Sequence, residues 1–522
     1  MSIVHCQLSI RYQRDKSRFA FPCPLPHRLS GGGFVRKGRT LVRGTLLLTV
    51  SGLALRGLGV LFQSVLAARV GAEGMGVLQL VLTVGGFAGT LGSSGIRVAA
   101  LQLTARAWGR GDRPGVTAAL LACLRYGLLV SAAVGTGLIL LAGPLSAGLL
   151  RDGRTAPALR LLGLLLPFPI LAGTVRSAYT ACGRVKELVT VELCERPVSV
   201  GATLLLLFAA GRDPARACAA VIAGSYGVSA FTFLVLWRRM NGALQGGRGE
   251  RILRFAQNDS SGRPVRRAGG QWPPLQGAAG RGTRPLRAET GGGTRPLQAL
   301  AADRAALPPV ARRALPLGVN DWLRSGLGAV EQFLIPYGLE KTGSRQSALA
   351  AYGTISGMVF PLLWFPAEII FSLCELLVSE LARLLAKKEH RRLRRLVRKS
   401  LILTGLYALG ISAALWFGGG VLGRVLFHSE QAGRYLRVFA AMVLFLYPDA
   451  VVDGLQKGLG QQLHLVRYNS FTNVIDVLGL WLLLPGYGLA GYVFTYCLSH
   501  LVNFFLSLRR LLIVVEDPEL CE

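Results

Sequence analysis

The feature that most constrains this chain is a series of apolar runs, each about 20 residues long. A helix rises about 1.5 Å per residue, so a run of that length crosses the ~30 Å hydrocarbon core of a bilayer. Twelve spans are predicted, at residues 44–70, 76–104, 118–142, 157–181, 187–210, 214–237, 314–338, 350–384, 400–427, 435–459, 466–485 and 487–508. The predicted fold class is therefore an all-α polytopic membrane protein.

Composition and charge agree with a membrane location. Of the 522 residues, 51% are hydrophobic and 16% are charged, whereas a soluble domain is roughly 25% charged. The formal net charge of +32 would indicate a nucleic-acid partner in a soluble protein. Here the Lys and Arg residues lie between the apolar runs, as they do in cytoplasmic loops. We therefore predict membrane lipids, and no nucleic acid, as partners.

The positive charges also predict which ends of the spans face the cytoplasm. They follow every second span, at Arg106, Arg110, Arg113, Arg184 and Lys186, after Arg238, and in the run 387–399. An even number of spans places both termini on one side, and the basic loops predict that this side is cytoplasmic. The chain is thus expected to be a multi-pass protein of the cytoplasmic membrane.

The spans divide into two groups of six, separated by a stretch of different composition. Residues 239–308 are rich in Gly, Arg and Pro. Such a sequence buries too little apolar surface to fold, so a disordered basic cytoplasmic linker is predicted. Residues 1–43 are predicted to be a basic, disordered N-terminal extension, and residues 511–522 a cytoplasmic tail. The two lobes then comprise residues 44–238 and 309–510.

A weak internal repeat relates the two groups of spans. The Gly-Leu-Gly triplets at 57–59 and 326–328 align, which places Gln63 on Gln332. A second match relates the fourth span to the tenth in the same order. The matches favour two six-helix lobes of the same orientation, related by an axis along the membrane normal.

Ionisable side chains inside the spans are the main indication of function, because each is costly in hydrocarbon unless it is paired or faces water. Arg56 and Arg324 lie in the leading spans of the two lobes. We expect them to face each other across a central polar cavity, together with Gln63 and Gln332. The acids inside spans are candidates for cavity acids or for ion coupling: Glu331, Glu368, Glu375, Asp449, Asp453 and Asp476. The structural alternative is that these charges pair with one another and lock helices together.

Three further charged residues favour the structural interpretation. Arg176 lies near the end of the fourth span, and Glu192 and Glu195 lie in the fifth, so an ion pair that locks these helices together is predicted. The sequence contains no GxxxxGK[ST] phosphate loop, HExxH motif or Cys/His cluster. We therefore predict no catalytic residues, no metal and no bound cofactor. A proton or sodium gradient is the candidate energy source.

Several segments resemble a known family. ARVGAEGMGVLQL at 68–80, SSGIRVAALQLTAR at 93–106 and GLQKGLGQQLHLVRYN at 454–469 are similar to SpoVB-like polysaccharide-biosynthesis proteins. These are flippases of the multidrug/oligosaccharidyl-lipid/polysaccharide (MOP) exporter superfamily. The resemblance covers 44–238 and 309–510. It implies two six-helix lobes that form a MATE-like V around a central cavity, and transport by alternating access.

The resemblance also implies a substrate. It predicts transport of an undecaprenyl-pyrophosphate-linked glycan in cell-wall, polysaccharide or spore-cortex synthesis, with Arg56 and Arg324 binding the pyrophosphate. An arginine suits this role because its planar guanidinium binds phosphate through two hydrogen bonds. Related lipid II flippases carry the pattern S-R-x-L-G-x-x-R-D in the first span, where this chain reads LRGLGVLFQ at 55–63. Phe62 and Gln63 replace the second arginine and the aspartate, so lipid II itself is disfavoured.

Two other functions stay open. A cation-coupled multidrug exporter would have the same fold, and the membrane acids favour it. A membrane enzyme such as a glycan polymerase or ligase belongs to another class, and the short external loops without paired catalytic residues argue against it. The leading prediction is therefore a flippase and not an enzyme, and the sequence indicates no oligomeric state.

Overall fold

The computed structural model describes residues 33–259 and 307–516, except for 94, 110–111, 212 and 387–388. In this part of the chain the backbone is helical almost throughout and forms no β-strand. Long helices follow from the apolar sequence, because a chain in lipid must satisfy its backbone hydrogen bonds within each segment.

Among the described residues, seven helices form the N-terminal lobe. In chain order they are α1 (Gly33–Ser93), α2 (Ile96–Gly109), α3 (Arg113–Pro144), α4 (Ala156–Leu165), α5 (Pro167–Ala181), α6 (Val185–Ala210) and α7 (Pro214–Asp259). A π-helical turn, Leu145–Leu149, continues α3, and a 3₁₀ turn, Gly153–Thr155, leads into α4. Asp112 caps α3, since its carboxylate accepts a hydrogen bond from the Gly115 amide at 2.9 Å.

The described part of the C-terminal lobe likewise contains seven helices. They are α8 (Leu307–Glu340), α9 (Arg345–Thr354), α10 (Phe360–Ala386), α11 (His390–Phe427), α12 (Glu430–Gly458), α13 (Gln462–Tyr487) and α14 (Leu489–Glu516). A π-helical turn, Ile355–Val359, joins α9 to α10, so that both belong to one membrane span.

Ten segments of the described residues are long and apolar enough to cross a membrane. The first, Thr49–Gly109, bends at Gly71 and contains the first two predicted spans. Gly71 has φ 76° and ψ 174°, a conformation that a residue with a Cβ rarely adopts. The ten segments therefore account for eleven predicted spans, and α8 lies on the remaining one. About twelve spanning helices in two lobes are confirmed.

Helices extend into the predicted N-terminal extension, the predicted linker and the predicted tail. α1 begins at Gly33, inside the predicted extension 1–43, and α7 continues to Asp259, inside the predicted linker 239–308. α14 likewise ends at Glu516, within the predicted tail. A helix that a membrane span has already nucleated propagates at little further cost. The remainders of these three segments lie outside the described residues.

The two lobes meet along α1, which packs against α8, α9 and α10. Near the bend of α1 the backbones come into direct contact. A Cβ on Gly353 of α9 would lie 3.0 Å from the Gly76 Cα atom, and one on Gly76 would lie 3.0 Å from the Leu349 carbonyl carbon. Small residues permit such close approach between membrane helices. The glycines of α1 therefore place both arms of this helix at the junction of the lobes.

Candidate substrate and ion-coupling sites

Arg56 connects the two lobes. Its Nε atom, in the first arm of α1, donates a hydrogen bond to the Glu368 carboxylate of α10. The Arg56 side chain is 32% exposed and that of Glu368 is 16% exposed. The guanidinium carbon also lies 5.6 Å from the centre of the Phe371 ring. Arg56 is thus neutralised across the junction while part of its surface stays accessible.

The chain around this pair is shaped to bring the carboxylate to the arginine. A Cβ on Gly52, one turn before Arg56, would lie 2.7 Å from the Glu368 Oε1 atom, so a larger residue would displace the carboxylate. Pro366 interrupts the hydrogen bonding of α10. The Tyr407 hydroxyl donates to the Pro366 carbonyl at 3.0 Å. Together these contacts fix the turn of α10 that carries Glu368.

Arg324 has a different environment from Arg56. It is exposed on α8, and its charge interacts with that of Asp453 in α12 of the same lobe. The first-span arginine therefore contacts an acid of the opposite lobe, whereas the seventh-span arginine faces an acid of its own. Whether both contact one substrate stays a prediction.

The two aligned glutamines also differ. The Gln332 Oε1 atom accepts a hydrogen bond from the Tyr352 hydroxyl at 2.9 Å, which links α8 to α9. The Gln63 Oε1 atom is buried, and no hydrogen-bond donor reaches it from the described residues. Beside it, the Ser64 hydroxyl donates to the Leu426 carbonyl of α11. Gln63 thus lies where α1 contacts the C-terminal lobe.

A polar cluster lies inside the C-terminal lobe, where α12, α13 and α14 meet. The Asn503 amide nitrogen is 2.9 and 3.1 Å from the two Asp449 carboxylate oxygens and 3.1 Å from the Asn469 Oδ1 atom. The His500 Nδ1 atom is 3.2 Å from the Asp449 Oδ2 atom. An aspartate buried within a membrane span is therefore held by an imidazole and an amide.

Two more acids adjoin this cluster. The Glu331 carboxylate of α8 lies beside the Tyr496 side chain, and the Asp476 carboxylate of α13 lies beside the Ser499 side chain. Both acids interact electrostatically with His500. Each also has one buried oxygen that no donor among the described residues reaches. Buried polar atoms are normally satisfied, so this region has unused capacity for a proton or a cation.

Four predicted acids therefore converge on one region. Asp453, one turn after Asp449, interacts with it electrostatically and has a buried oxygen without a partner among the described residues. The predicted acids of α10 lie elsewhere: Glu368 contacts Arg56, and Glu375 is exposed two turns further along. We name the group Glu331, Asp449, Asp453, Asp476 and His500 the C-lobe acid cluster.

Sequence reasoning missed His500 and Asn503. Both belong to a stripe of α14 whose polar residues recur at three- and four-residue spacing: Tyr492, Thr495, Tyr496, Ser499, His500, Asn503 and Ser507. That spacing places them on one helix face. A continuous polar face in an apolar span indicates an interior surface, and this signal was available in the sequence.

The N-terminal lobe contains the ion pair that the sequence assigns to a structural role. The Arg176 Nη2 atom of α5 contacts the Glu195 carboxylate of α6, with side chains 21% and 12% exposed. Glu192 lies one turn before Glu195 and also acts on it electrostatically. Arg97 of α2, which the sequence analysis did not single out, interacts with Asp321 of α8 and lies near Arg176. Arg176 thus has a partner within its own lobe, whereas Arg97 interacts with an acid of the opposite lobe.

Three polar contacts join the lobes at their predicted external ends. The Arg151 Nη1 atom is 2.9 Å from the Glu340 Oε2 atom, and Arg345 donates to the Leu150 carbonyl at 2.6 Å. The Gln346 amide donates to the Glu73 carboxylate at 2.8 Å. The short connections after α3 and α8 are therefore held against each other.

Comparison with known families supports the two-lobe description. A family described as polysaccharide biosynthesis protein matches residues 41–254, and the family MatE matches residues 343–482. The N-terminal lobe is thus similar to polysaccharide-biosynthesis proteins, and most of the C-terminal lobe is similar to MatE proteins. The first match covers the lobe that contains Arg56.

Solved structures of MOP transporters share this fold at low sequence identity. An inward-facing multidrug resistance MATE family transporter is 12% identical, with a TM-score of 0.61 over 90% of this chain and 99% of that one. An outward-facing structure of the same description is 13% identical, with a TM-score of 0.52 over 91% and 96%. A MOP transporter from Pyrococcus furiosus, described as having a binding pocket of reverse polarity, is 11% identical, with a TM-score of 0.54 over 91% and 96%. No curated protein sequence matches significantly.

Proposed function

We propose that this protein is a flippase of the MOP superfamily that moves an undecaprenyl-pyrophosphate-linked glycan from the cytoplasmic to the outer leaflet. The observation that carries the proposal is Arg56, a half-accessible guanidinium within a membrane span, held by an acid of the opposite lobe. Arginine binds phosphate oxygens through paired, charge-assisted hydrogen bonds. The polysaccharide-biosynthesis match across this lobe supports a glycan carrier as the source of the phosphate.

Substrate binding would change the junction between the lobes. A pyrophosphate carries more charge and more acceptor oxygens than the single Glu368 carboxylate, so it competes for Arg56. Displacement of Glu368 breaks a contact between α1 and α10, and the exposed Arg324 supplies a second guanidinium. Binding energy is thereby used to release one lobe from the other, as alternating access requires.

The three external contacts support loading from the cytoplasmic side. While Arg151–Glu340 and its neighbours hold the lobes together at the predicted external ends, the substrate headgroup enters from the opposite end. Release to the outer leaflet then requires these contacts to separate.

Energy for return would come from an ion gradient through the C-lobe acid cluster. Four carboxylates and one imidazole lie together in membrane spans. Three of the carboxylates have a buried oxygen that no donor among the described residues reaches, so these oxygens can accept a proton or bind a cation. Ionisable groups at such depth usually serve transport. The resemblance to SpoVB-like proteins extends the proposal to cell-wall, polysaccharide or spore-cortex synthesis.

Flipping in proteoliposomes tests the proposal. We expect a fluorescent polyprenyl-pyrophosphate disaccharide to cross the bilayer with the wild-type protein and to stop crossing with Arg56→Ala/Arg324→Ala. Arg434→Ala/Arg437→Ala, which removes two exposed arginines of α12, is the matched control and should flip normally. Unchanged flipping by the first variant would reject the assigned role.

Glu368→Gln separates competition from a merely structural pair. If the substrate displaces this carboxylate, the variant binds a polyprenyl pyrophosphate about threefold to tenfold more tightly, because one competing charge-assisted hydrogen bond is weakened. A structural pair would instead give lower thermal stability with unchanged affinity. Fluorescence titration in detergent, alongside a melting curve, distinguishes the two.

A multidrug exporter is the second candidate, and the MatE match over residues 343–482 favours it. The C-lobe acid cluster lies largely within that segment. Gradient-driven efflux of a cationic dye from vesicles, with no flipping of the pyrophosphate lipid, would establish this function in place of the first.

A further inference from the structure

The first ten residues of α11 form a basic segment that continues a membrane-spanning helix. Residues 400–423 of α11 contain no charged residue and, at 1.5 Å per residue, exceed the ~30 Å hydrocarbon thickness. Residues 390–399 therefore extend about 15 Å further, to the depth of the lipid headgroups on the predicted cytoplasmic side.

The cations of this segment lie on the side of the helix that points away from the rest of the lobe. Leu393, Val397 and Ser400 are buried, at the three- and four-residue spacing of a single face. The exposed cations occupy the other faces: Arg391, Arg392, Arg394, Arg395, Arg398 and Lys399. At 100° per residue their mean direction is opposite to the buried face.

The same face continues into the membrane as an apolar surface. Ile402, Leu406, Leu409 and Phe417 of α11 are 53%, 63%, 57% and 82% exposed. Arg395 lies eleven residues, or about three turns, before Leu406, and the same spacing relates Arg391 to Ile402, so the positions lie almost directly in line. An exposed apolar side chain in a spanning helix contacts lipid tails. The cations thus lie where the headgroups of those lipids are expected.

Most of these cations form no ion pair with an acid of the described residues. Arg392 pairs with Glu389 at 2.7 Å, and Arg394 donates to the Val515 and Glu516 carbonyls at the end of α14, at 3.2 and 3.1 Å. Arg391, Arg395, Arg398 and Lys399 form no ion pair with an acid in the described part of the chain. Four uncompensated cations therefore remain on the lipid-facing side.

We infer that this face of α11 binds the headgroups of anionic phospholipids in the cytoplasmic leaflet. The chemistry is that of phosphodiester oxygens meeting guanidinium and ammonium groups. The buried Leu393 and Val397 hold the segment against the lobe, and Arg394 joins it to α14. Bound lipid would therefore fix the C-terminal lobe at a defined depth in the membrane.

Thermal unfolding of the full chain in detergent, titrated with phosphatidylglycerol or phosphatidylcholine, tests this inference. We expect phosphatidylglycerol to stabilise the wild-type protein more than phosphatidylcholine does. In Arg391→Gln/Arg395→Gln/Arg398→Gln the concentration needed for half of that effect should rise at least tenfold, since each cation near an anionic surface contributes roughly fivefold. The corresponding triple Lys variant keeps the charges and should respond as wild type.

A second variant separates a local site from overall charge. Arg424→Gln/Arg434→Gln/Arg437→Gln removes three exposed arginines at the other end of the same lobe and should keep the response. The inference would be overturned if both Gln variants lost the stabilisation by phosphatidylglycerol equally, or if the first variant kept it. An equal response of the wild type to both lipids would also overturn it. Equal melting temperatures in phosphatidylcholine show that the variants are folded.

Discussion

In the N-terminal lobe two arginines inside the spans interact with acids: Arg176 contacts Glu195, and Arg97 interacts with Asp321 across the junction. In the C-terminal lobe, by contrast, three carboxylates interact with His500, and a fourth, Asp453, interacts with Asp449. Three of the four have a buried oxygen that no donor among the described residues reaches. Two cations, Lys457 and the exposed Arg324, interact electrostatically with Asp453.

This contrast separates two reasons for placing charge in a membrane. A paired charge stabilises the packing of two helices, and its presence is explained without a role in transport. A group of like charges with unused hydrogen-bonding capacity is unfavourable for stability, so its retention indicates a role in binding or transfer. We therefore expect the Arg176–Glu195 pair to have a structural role and the C-lobe acid cluster to respond to an ion.

The largest expected effect is on the C-lobe acid cluster. Asp449→Asn keeps the size of the side chain and removes its charge. The side chain that contacts His500 and Asn503 can then no longer bind or release a proton. We expect gradient-driven transport to fall by about 100-fold, while the protein remains folded in the membrane. Glu430→Gln, at the exposed start of the same helix, is the control. If Asp449→Asn transports normally and its transport still depends on the gradient, ion coupling takes place at another site.

A smaller effect is expected for the scaffold pair of the N-terminal lobe. Arg176→Ala leaves Glu195 half-buried without its partner, which should lower the free energy of unfolding by about 2 kcal/mol, less than for a fully buried pair. Transport per folded molecule should not change. Arg160→Ala, which removes an exposed arginine of α4, should cost less than about 0.5 kcal/mol. Loss of transport at unchanged stability would show that the comparison between the lobes is wrong.

The spans were predictable because the signal for them is local. An apolar run of twenty residues has one stable solution in a bilayer, and its length determines the helix that follows. The Arg176–Glu195 contact was similarly accessible, since adjacent spans joined by a short loop must pack together. The bend at Gly71 and the helical residues up to Asp259 were not, because each depends on how a helix continues beyond its apolar core.

The contact between Arg56 and Glu368 illustrates what a single sequence lacks. The two residues are 312 positions apart, and neither spacing nor composition reports which helices of different lobes meet. The internal repeat directed attention to Arg324 as the partner across the junction, whereas the structure places an acid of α10 there. His500 escaped for another reason: its polar neighbours on α14 form a pattern only when the span is read as a helix with an interior face.

The smallest expected effect on stability concerns the external contact between the lobes. Arg151 and Glu340 are 45% and 32% exposed, so Arg151→Ala should lower the free energy of unfolding by less than about 1 kcal/mol. The same loss acts on the balance between closed and open external ends, where 1 kcal/mol changes the ratio about fivefold. Distances between spin labels placed on the two lobes at that end should report more of the open form. Arg216→Ala, whose partner Asp213 belongs to its own lobe at 3.7 Å, should leave the distances unchanged. If both variants behave alike, the pair is only surface charge, and the junction is held by the backbone contacts between α1 and α9.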